Sequence, residues 1–129
     1  MRAIDTNVIV RFLTADDEAQ AAVARKTIEG GEVFVATTVL LETEWVLRSG
    51  YGFSSKAIEA ALKGVAGLSG VTVEDPLVLA TALDGMAAGM EFADALHLAK
   101  AEGCGAFLTF DRKLAKAAKG RFPVPVIAP

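Results

Sequence analysis

Thiol and imidazole side chains are nearly absent from this chain: one cysteine, Cys104, and one histidine, His97, in 129 residues. A single cysteine excludes an intramolecular disulfide, and two soft ligands are too few for a zinc cage built by the protein alone. Long apolar runs are also missing. Arg2 and Asp5 interrupt the first residues, leaving no core for a signal peptide, and no later segment stays apolar long enough to span a bilayer. A soluble protein of a reducing cytoplasm is expected. There is no excess of positive charge either. A net charge of -3 and a pI near 5.1 exclude a surface coated with phosphate-binding side chains, so any nucleic-acid contact has to be local. No repeat, charge block or Pro/Ser-rich linker divides the sequence, and its length is that of one ordinary domain, residues 1–129.

Apolar side chains are abundant, at 53% of residues with a mean hydropathy of +0.42. That is high for a small monomer. Apolar surface left in water is costly, and a subunit interface would absorb it, so a homodimer is expected. Charge is unevenly placed: Arg112, Lys113, Lys116, Lys119 and Arg121 follow Asp111 with no acid among them. They form either a solvated helix face or a local holder for a phosphate backbone.

Short apolar segments alternate with helical patterns. Strands are predicted at 2–5, 33–36, 71–73 and 106–110, with a last one in "FPVPVIAP" confined to an edge by its prolines. Helices are predicted at 8–13, from Asp16 or Asp17 to Glu29, from Thr37 or Thr38 to Arg48, after Ser54 or Ser55, from Pro76, at 92–102, and in the basic segment. Strands separated by helices imply an α/β fold whose parallel sheet is covered on both faces.

Two junctions in this plan repeat. Asp5 follows the first strand and Asp111 the fourth, and both lead directly into a helix. In open α/β sheets, ligand sites form beyond the carboxyl ends of strands, which predicts that both acids face one crevice. Each is also a good N-cap, an alternative explanation for its presence. Thr6 and Asn7 after Asp5, and Thr109 before Asp111, add small oxygen donors of the kind a hard metal ion takes.

Two further carboxylates invite the same question. Glu42 and Glu44 point to nearly opposite sides of their helix at 100° per residue, so only one can reach the crevice. Glu44 precedes Arg48 by four residues, the order of an exposed ion pair, whereas Glu42 shares a face with Val39, Trp45 and Val46. Glu42 is therefore preferred. Asp94 lies in the first turn of its helix, where the macrodipole favours negative charge, and His97 shares its face. For the lone imidazole the ordinary expectation is a hydrogen-bonded core residue.

If the acids do gather, like charges about 4 Å apart repel by about 4 kcal/mol at an effective dielectric of 20. Protonation or a divalent cation would offset that. All-oxygen donors favour Mg²⁺ or Mn²⁺, which activate water and stabilise a leaving oxygen in phosphodiester hydrolysis.

The segments "DTNVIVRFL", "VLLETEWVLR", "FADALHLA" and "FLTFDRKL", in this order over nearly the whole chain, resemble the PIN-domain ribonucleases, and within them the VapC-type toxins of toxin–antitoxin modules. The resemblance implies a three-layer PIN-like domain with a central parallel β-sheet flanked by helices. It carries the family's acids to Asp5, Glu42, Asp94 and Asp111, and its supporting positions to Thr6, Asn7 and Thr109. By the same resemblance, Asp5 and Asp94 would hold Mg²⁺ or Mn²⁺ directly, while Glu42 and Asp111 complete its shell and position the attacking hydroxide. It further implies an endoribonuclease leaving 5′-phosphate and 3′-hydroxyl ends, a homodimer, a VapB-like antitoxin that blocks the acidic site, and a structured RNA such as tRNA as target.

Three other readings fit a similar sheet. A catalytically silent PIN-like module that binds RNA or protein would have lost one or more acids, and none is lost. An aspartyl-phosphate enzyme of the haloacid-dehalogenase type needs a second Asp two residues after the first, where Asn7 stands. A receiver domain needs an acidic pair beside the first strand, and Asp16 and Asp17 lie too far along.

Overall fold

The computed structural model describes residues 1–129 and forms two compact units, Met1–Pro76 and Leu77–Pro129. In the first, strand β1 (Arg2–Ala3) is followed by helices α1 (Thr6–Thr14) and α2 (Glu18–Glu29), strand β2 (Val33–Val35), helix α3 (Thr37–Trp45), helix α4 (Ser55–Ala66) and strand β3 (Val71–Val73). The strands form a parallel ladder in the order β1-β2-β3, with Ala3 opposite Phe34 and Val35 opposite Val73. β2 is central, and Val33 and Val35 are wholly buried together with Ile9, Ile28, Leu47, Ile58 and Leu62. Helical crossovers between parallel strands account for that burial, since they cover the faces of the ladder.

Local sequence explains most boundaries. Asp17 accepts the Gln20 amide at 3.0 Å and caps α2, and Ser54 accepts the Ala57 amide at 3.1 Å and caps α4. Gly70 adopts φ +80°, and a Cβ there would lie 2.6 Å from the Cα of Gly31, itself at φ +77°. Two backbones touch at that point, and only glycine permits it. β1 is shorter than the predicted 2–5 because Asp5 already belongs to the cap of α1, although the Ile4 amide still donates to the Phe34 carbonyl at 3.1 Å.

Two expectations are corrected here. Neither Thr37 nor Thr38 caps α3: the N-cap is Ala36, which offers no side-chain bond, and the Thr37 amide is instead held by Glu74 Oε1 at 2.9 Å. A carboxylate just after β3 thus does from a distance what a hydroxyl does locally. The helix after residue 37 also changes character before Arg48, widening into a π-helical turn over Val46–Gly50 that keeps Leu47 fully buried.

The second unit contains α5 (Pro76–Ala87, whose first residue ends the preceding unit), α6 (Phe92–Lys100), β4 (Phe107–Leu108), α7 (Arg112–Ala118) and β5 (Val126–Ile127). β4 and β5 pair in parallel, and β5 has no second neighbour, as its flanking prolines require. Parallel strands and helices therefore alternate as expected, with the ladders formed as three strands and two. Phe92, Leu83, Ala82, Ala95 and Leu98 make this unit's core. A Cβ on Gly85 would come 2.7 Å from that of Ala95, so the absence of a side chain lets α5 and α6 approach closely. No helix is long and apolar enough to cross a membrane.

Replacing Glu74 by alanine should cost about 1 kcal/mol, the ordinary worth of a lost N-terminal cap. Urea unfolding of the two proteins measures it, and an unchanged midpoint would remove the long-range cap from the account.

Candidate active site

In the first unit, the chain leaves β1 extended and turns into α1 at Asp5, whose Oδ1 accepts the Thr6 amide at 2.8 Å. Asp5 stays exposed while Thr6 is only 3% exposed. The Thr6 hydroxyl donates to Glu42 Oε1 on α3. Thr6 thereby ties the Asp5 turn to Glu42, its backbone bonded to one carboxylate and its side chain to the other. Asn7 does not join them in any hydrogen bond. It lines a groove of about 420 Å³ between α1 and α2, with Val8, Arg11, Gln20 and Val23.

Glu42 is indeed the glutamate beside the Asp5 turn, but the reasoning from helix faces is overturned. Glu44, expected in an exposed ion pair, is 2% exposed, while Glu42, expected among apolar neighbours, is exposed next to Trp45, which is 58% exposed. The ion pair does exist: Arg48 Nε donates to Glu44 Oε2 at 2.9 Å. α3 is apolar nearly all round, so its inward side cannot be read from spacing, and Glu44 tolerates burial because a guanidinium supplies the compensating charge. Arg48→Met should destabilise the protein by about 2 kcal/mol, less than the roughly 3–5 kcal/mol of a wholly buried pair because the guanidinium is half in water. Adding Glu44→Gln should recover most of that loss in the same unfolding measurement. No recovery would mean that Arg48 acts through packing.

In the second unit, Asp94 stands in the first turn of α6 and Asp111 caps α7, its Oδ1 accepting the Leu114 amide at 3.0 Å. The Asp111 amide in turn donates to Thr109 Oγ1 at 3.0 Å, so Thr109 shapes the turn that presents the acid. Asp94 and Asp111 line one depression of about 230 Å³ with Glu91 and Lys113. Burial raises the Asp94 carboxyl above the ordinary aspartate range. Repulsion from Glu91 and Asp111 adds to this, and attraction from His97 works against it. His97 itself is exposed, not the core residue expected of a lone imidazole, and acts on Asp94 only through its charge. Glu91 was missed in the sequence, although its position three residues before Asp94 is a legible helical neighbour relation.

What these groups can do follows from their chemistry. The paired acids offer carboxylate oxygens beside the hydroxyls of Thr6 and Thr109 and no thiol, a donor set that suits a hard cation such as Mg²⁺ or Mn²⁺. No three His, Cys, Asp or Glu side chains are drawn together as a ready metal cage. The pairs are thus Asp5 with Glu42, joined through Thr6, and Asp94 with Asp111 across their depression. Asp94 would gain from a nearby cation, since its charged form is disfavoured in the free protein.

Because the folded Asp94 holds its proton more tightly than the unfolded one, its charge costs stability above the raised pKa, and that cost disappears as pH falls below the ordinary aspartate value. Asp94→Asn should therefore melt at a higher temperature than wild type at about pH 7 in EDTA, with the advantage shrinking towards about pH 4. A lower melting temperature at neutral pH would contradict this electrostatic account.

Compared with protein families, residues 3–120 match the model of the PIN domain. Comparison with curated proteins yields no match.

Proposed function

Since the chain belongs to the PIN domain family, a fold of nuclease type, we propose that it is a Mg²⁺- or Mn²⁺-dependent endoribonuclease and the toxin of a toxin–antitoxin pair. The observation that carries the reading is the retention of all four acids in motif order, with one pair linked through Thr6 and the other sharing a depression. When bound, the cation polarises a phosphoryl oxygen and lowers the pKa of water. Asp5 and Asp94 are assigned to hold it, and Glu42 and Asp111 to complete its surroundings and orient the attacking water. Water's oxygen adds to phosphorus as the bond from phosphorus to the 3′ oxygen breaks. The 3′ oxygen takes up a proton, leaving 5′-phosphate and 3′-hydroxyl ends.

Thr6 and Thr109 act through the acids. Thr6 holds Glu42 by its hydroxyl, and Thr109 holds the Asp111 backbone. Asn7 is assigned as a supporting amide on the family pattern alone. Homodimerisation, a VapB-like antitoxin and a structured RNA target such as tRNA complete the proposal. The apolar composition and the exposed Val23, Trp45 and Leu77 are compatible with protein partners. A cytoplasmic setting suits one exposed free thiol, Cys104.

The competing reading, a silent PIN-like module binding RNA or protein, draws on the lack of a preformed metal cage. One experiment separates them. Purified protein in Mn²⁺ should cut a transcript into fragments with 5′-phosphate ends, EDTA should abolish the cutting, and Asp5→Ala or Asp94→Ala should slow it by roughly 100-fold or more. Binding without cleavage would favour the silent module, and cutting indifferent to both EDTA and the substitutions would defeat the mechanism.

A further inference from the structure

We infer that α7 and the turn after it form a phosphate track, a row of cations that grips an RNA backbone as it leaves the Asp94–Asp111 depression. The inference rests on the ribonuclease reading for the identity of its ligand, and on charge and shape in the second unit for its location.

The net charge of -3 conceals a sharp partition. Residues 112–129 carry five cations and no acid, so the remaining residues, with eight cations against sixteen acids, carry -8. All five cations are exposed. The ion pairs of the chain join Arg11 to Asp16, Arg48 to Glu44 and Lys63 to Glu59, and none of the five takes part in an ion pair or a side-chain hydrogen bond. In a protein with acids to spare, they are left without partners. Lys113 and Lys116 stand three residues apart on one helix and Arg112 and Lys116 four, spacings at which like charges repel. A polyanion laid across them would convert that repulsion into attraction.

Shape supplies the second observation. Besides the depression of about 230 Å³ that holds Asp94 and Asp111, a neighbouring one of about 400 Å³ is lined by Lys113, Lys116, Lys119 and Arg121. The two share Lys113 and Ala117. One wall of the acidic depression is therefore also the first wall of the basic one. An acidic peptide would gain from the cations but be repelled by Glu91, Asp94 and Asp111. A phosphodiester chain reconciles both parts if a cation among the acids faces one phosphate while the lysines and Arg121 hold its neighbours. The track recognises phosphates and so carries no base preference of its own.

The test is RNA binding in EDTA, where hydrolysis is suppressed, measured by fluorescence anisotropy of a short labelled oligouridine over a range of salt. The triple variant Lys116→Ala, Lys119→Ala, Arg121→Ala should bind about 10-fold more weakly at low salt. The slope of log affinity against log salt should flatten by about 2, the release of counterions from three single-strand phosphate contacts. Lys116→Arg with Lys119→Arg should bind as wild type does. A control removing equal charge from the first unit, Arg25→Ala, Lys26→Ala, Lys56→Ala, should leave the slope nearly unchanged. Unchanged affinity and slope in the first triple, an equal loss in the control, or tighter binding of polyglutamate than of RNA would each overturn the track. Track-dependent binding with no cleavage in Mn²⁺ would uphold it while overturning the ribonuclease reading.

Discussion

Asp5 and Asp111 each give one carboxylate oxygen to the helix they begin, and the rest of the arrangement depends on that bond. Oδ1 of Asp5 takes the amide of the first helical residue, whereas Oδ1 of Asp111 takes the amide of the third. Capping and ligand binding are usually weighed as rival explanations for an aspartate at a strand-to-helix junction. Here the cap orients the acid, because fixing one oxygen at an amide fixes the carboxylate plane and the side on which the second oxygen is presented. The neighbouring threonines stiffen both junctions, Thr6 by reaching across to Glu42 and Thr109 by holding the Asp111 amide.

The fold was legible where local chemistry decides it. Asp17 and Ser54 cap the helices expected of them, Pro76 opens its helix, and Val71–Val73 is a strand with the boundaries its sequence predicts. It was illegible where a distant group decides. The cap of α3 comes from Glu74, thirty-seven residues from the amide it serves, and no local pattern can announce it. Helix faces fail for a related reason. In α3 apolar side chains surround both glutamates, so the burial of Glu44 and the exposure of Glu42 depend on the elements that pack there, α1 among them.

The sequence offers the four acids as candidates through their motif order, but it did not show their environments. Asp94 looked like a group serving the helix dipole. In the structure it makes no capping bond, and desolvation together with Glu91 and Asp111 makes its charge costly. His97, read as a core residue, is exposed and lowers that cost by its proximity to Asp94. Both differences have one cause: spacing along a helix specifies neighbours on that helix, while burial is decided by other segments.

The protein therefore treats its inward-turned carboxylates in two ways. Glu44 is buried with Arg48 as its cation, and that charge is balanced within the chain. Asp94 is partly buried beside two more acids, with His97 opposing them, although five cations without ion-pair partners stand on the segment that begins at its neighbour Asp111. A domain optimised for stability alone would turn those cations towards the acids, since a charge left without a partner in a desolvated setting costs free energy. Lys113 lines both depressions, but the other cations stay on the adjoining surface, which preserves an acidic depression able to attract a cation and a basic one able to attract an anion. On the proposed ribonuclease reading, a phosphodiester carried with its metal ion would present both charges at once, and that pairing would give the separation a chemical use.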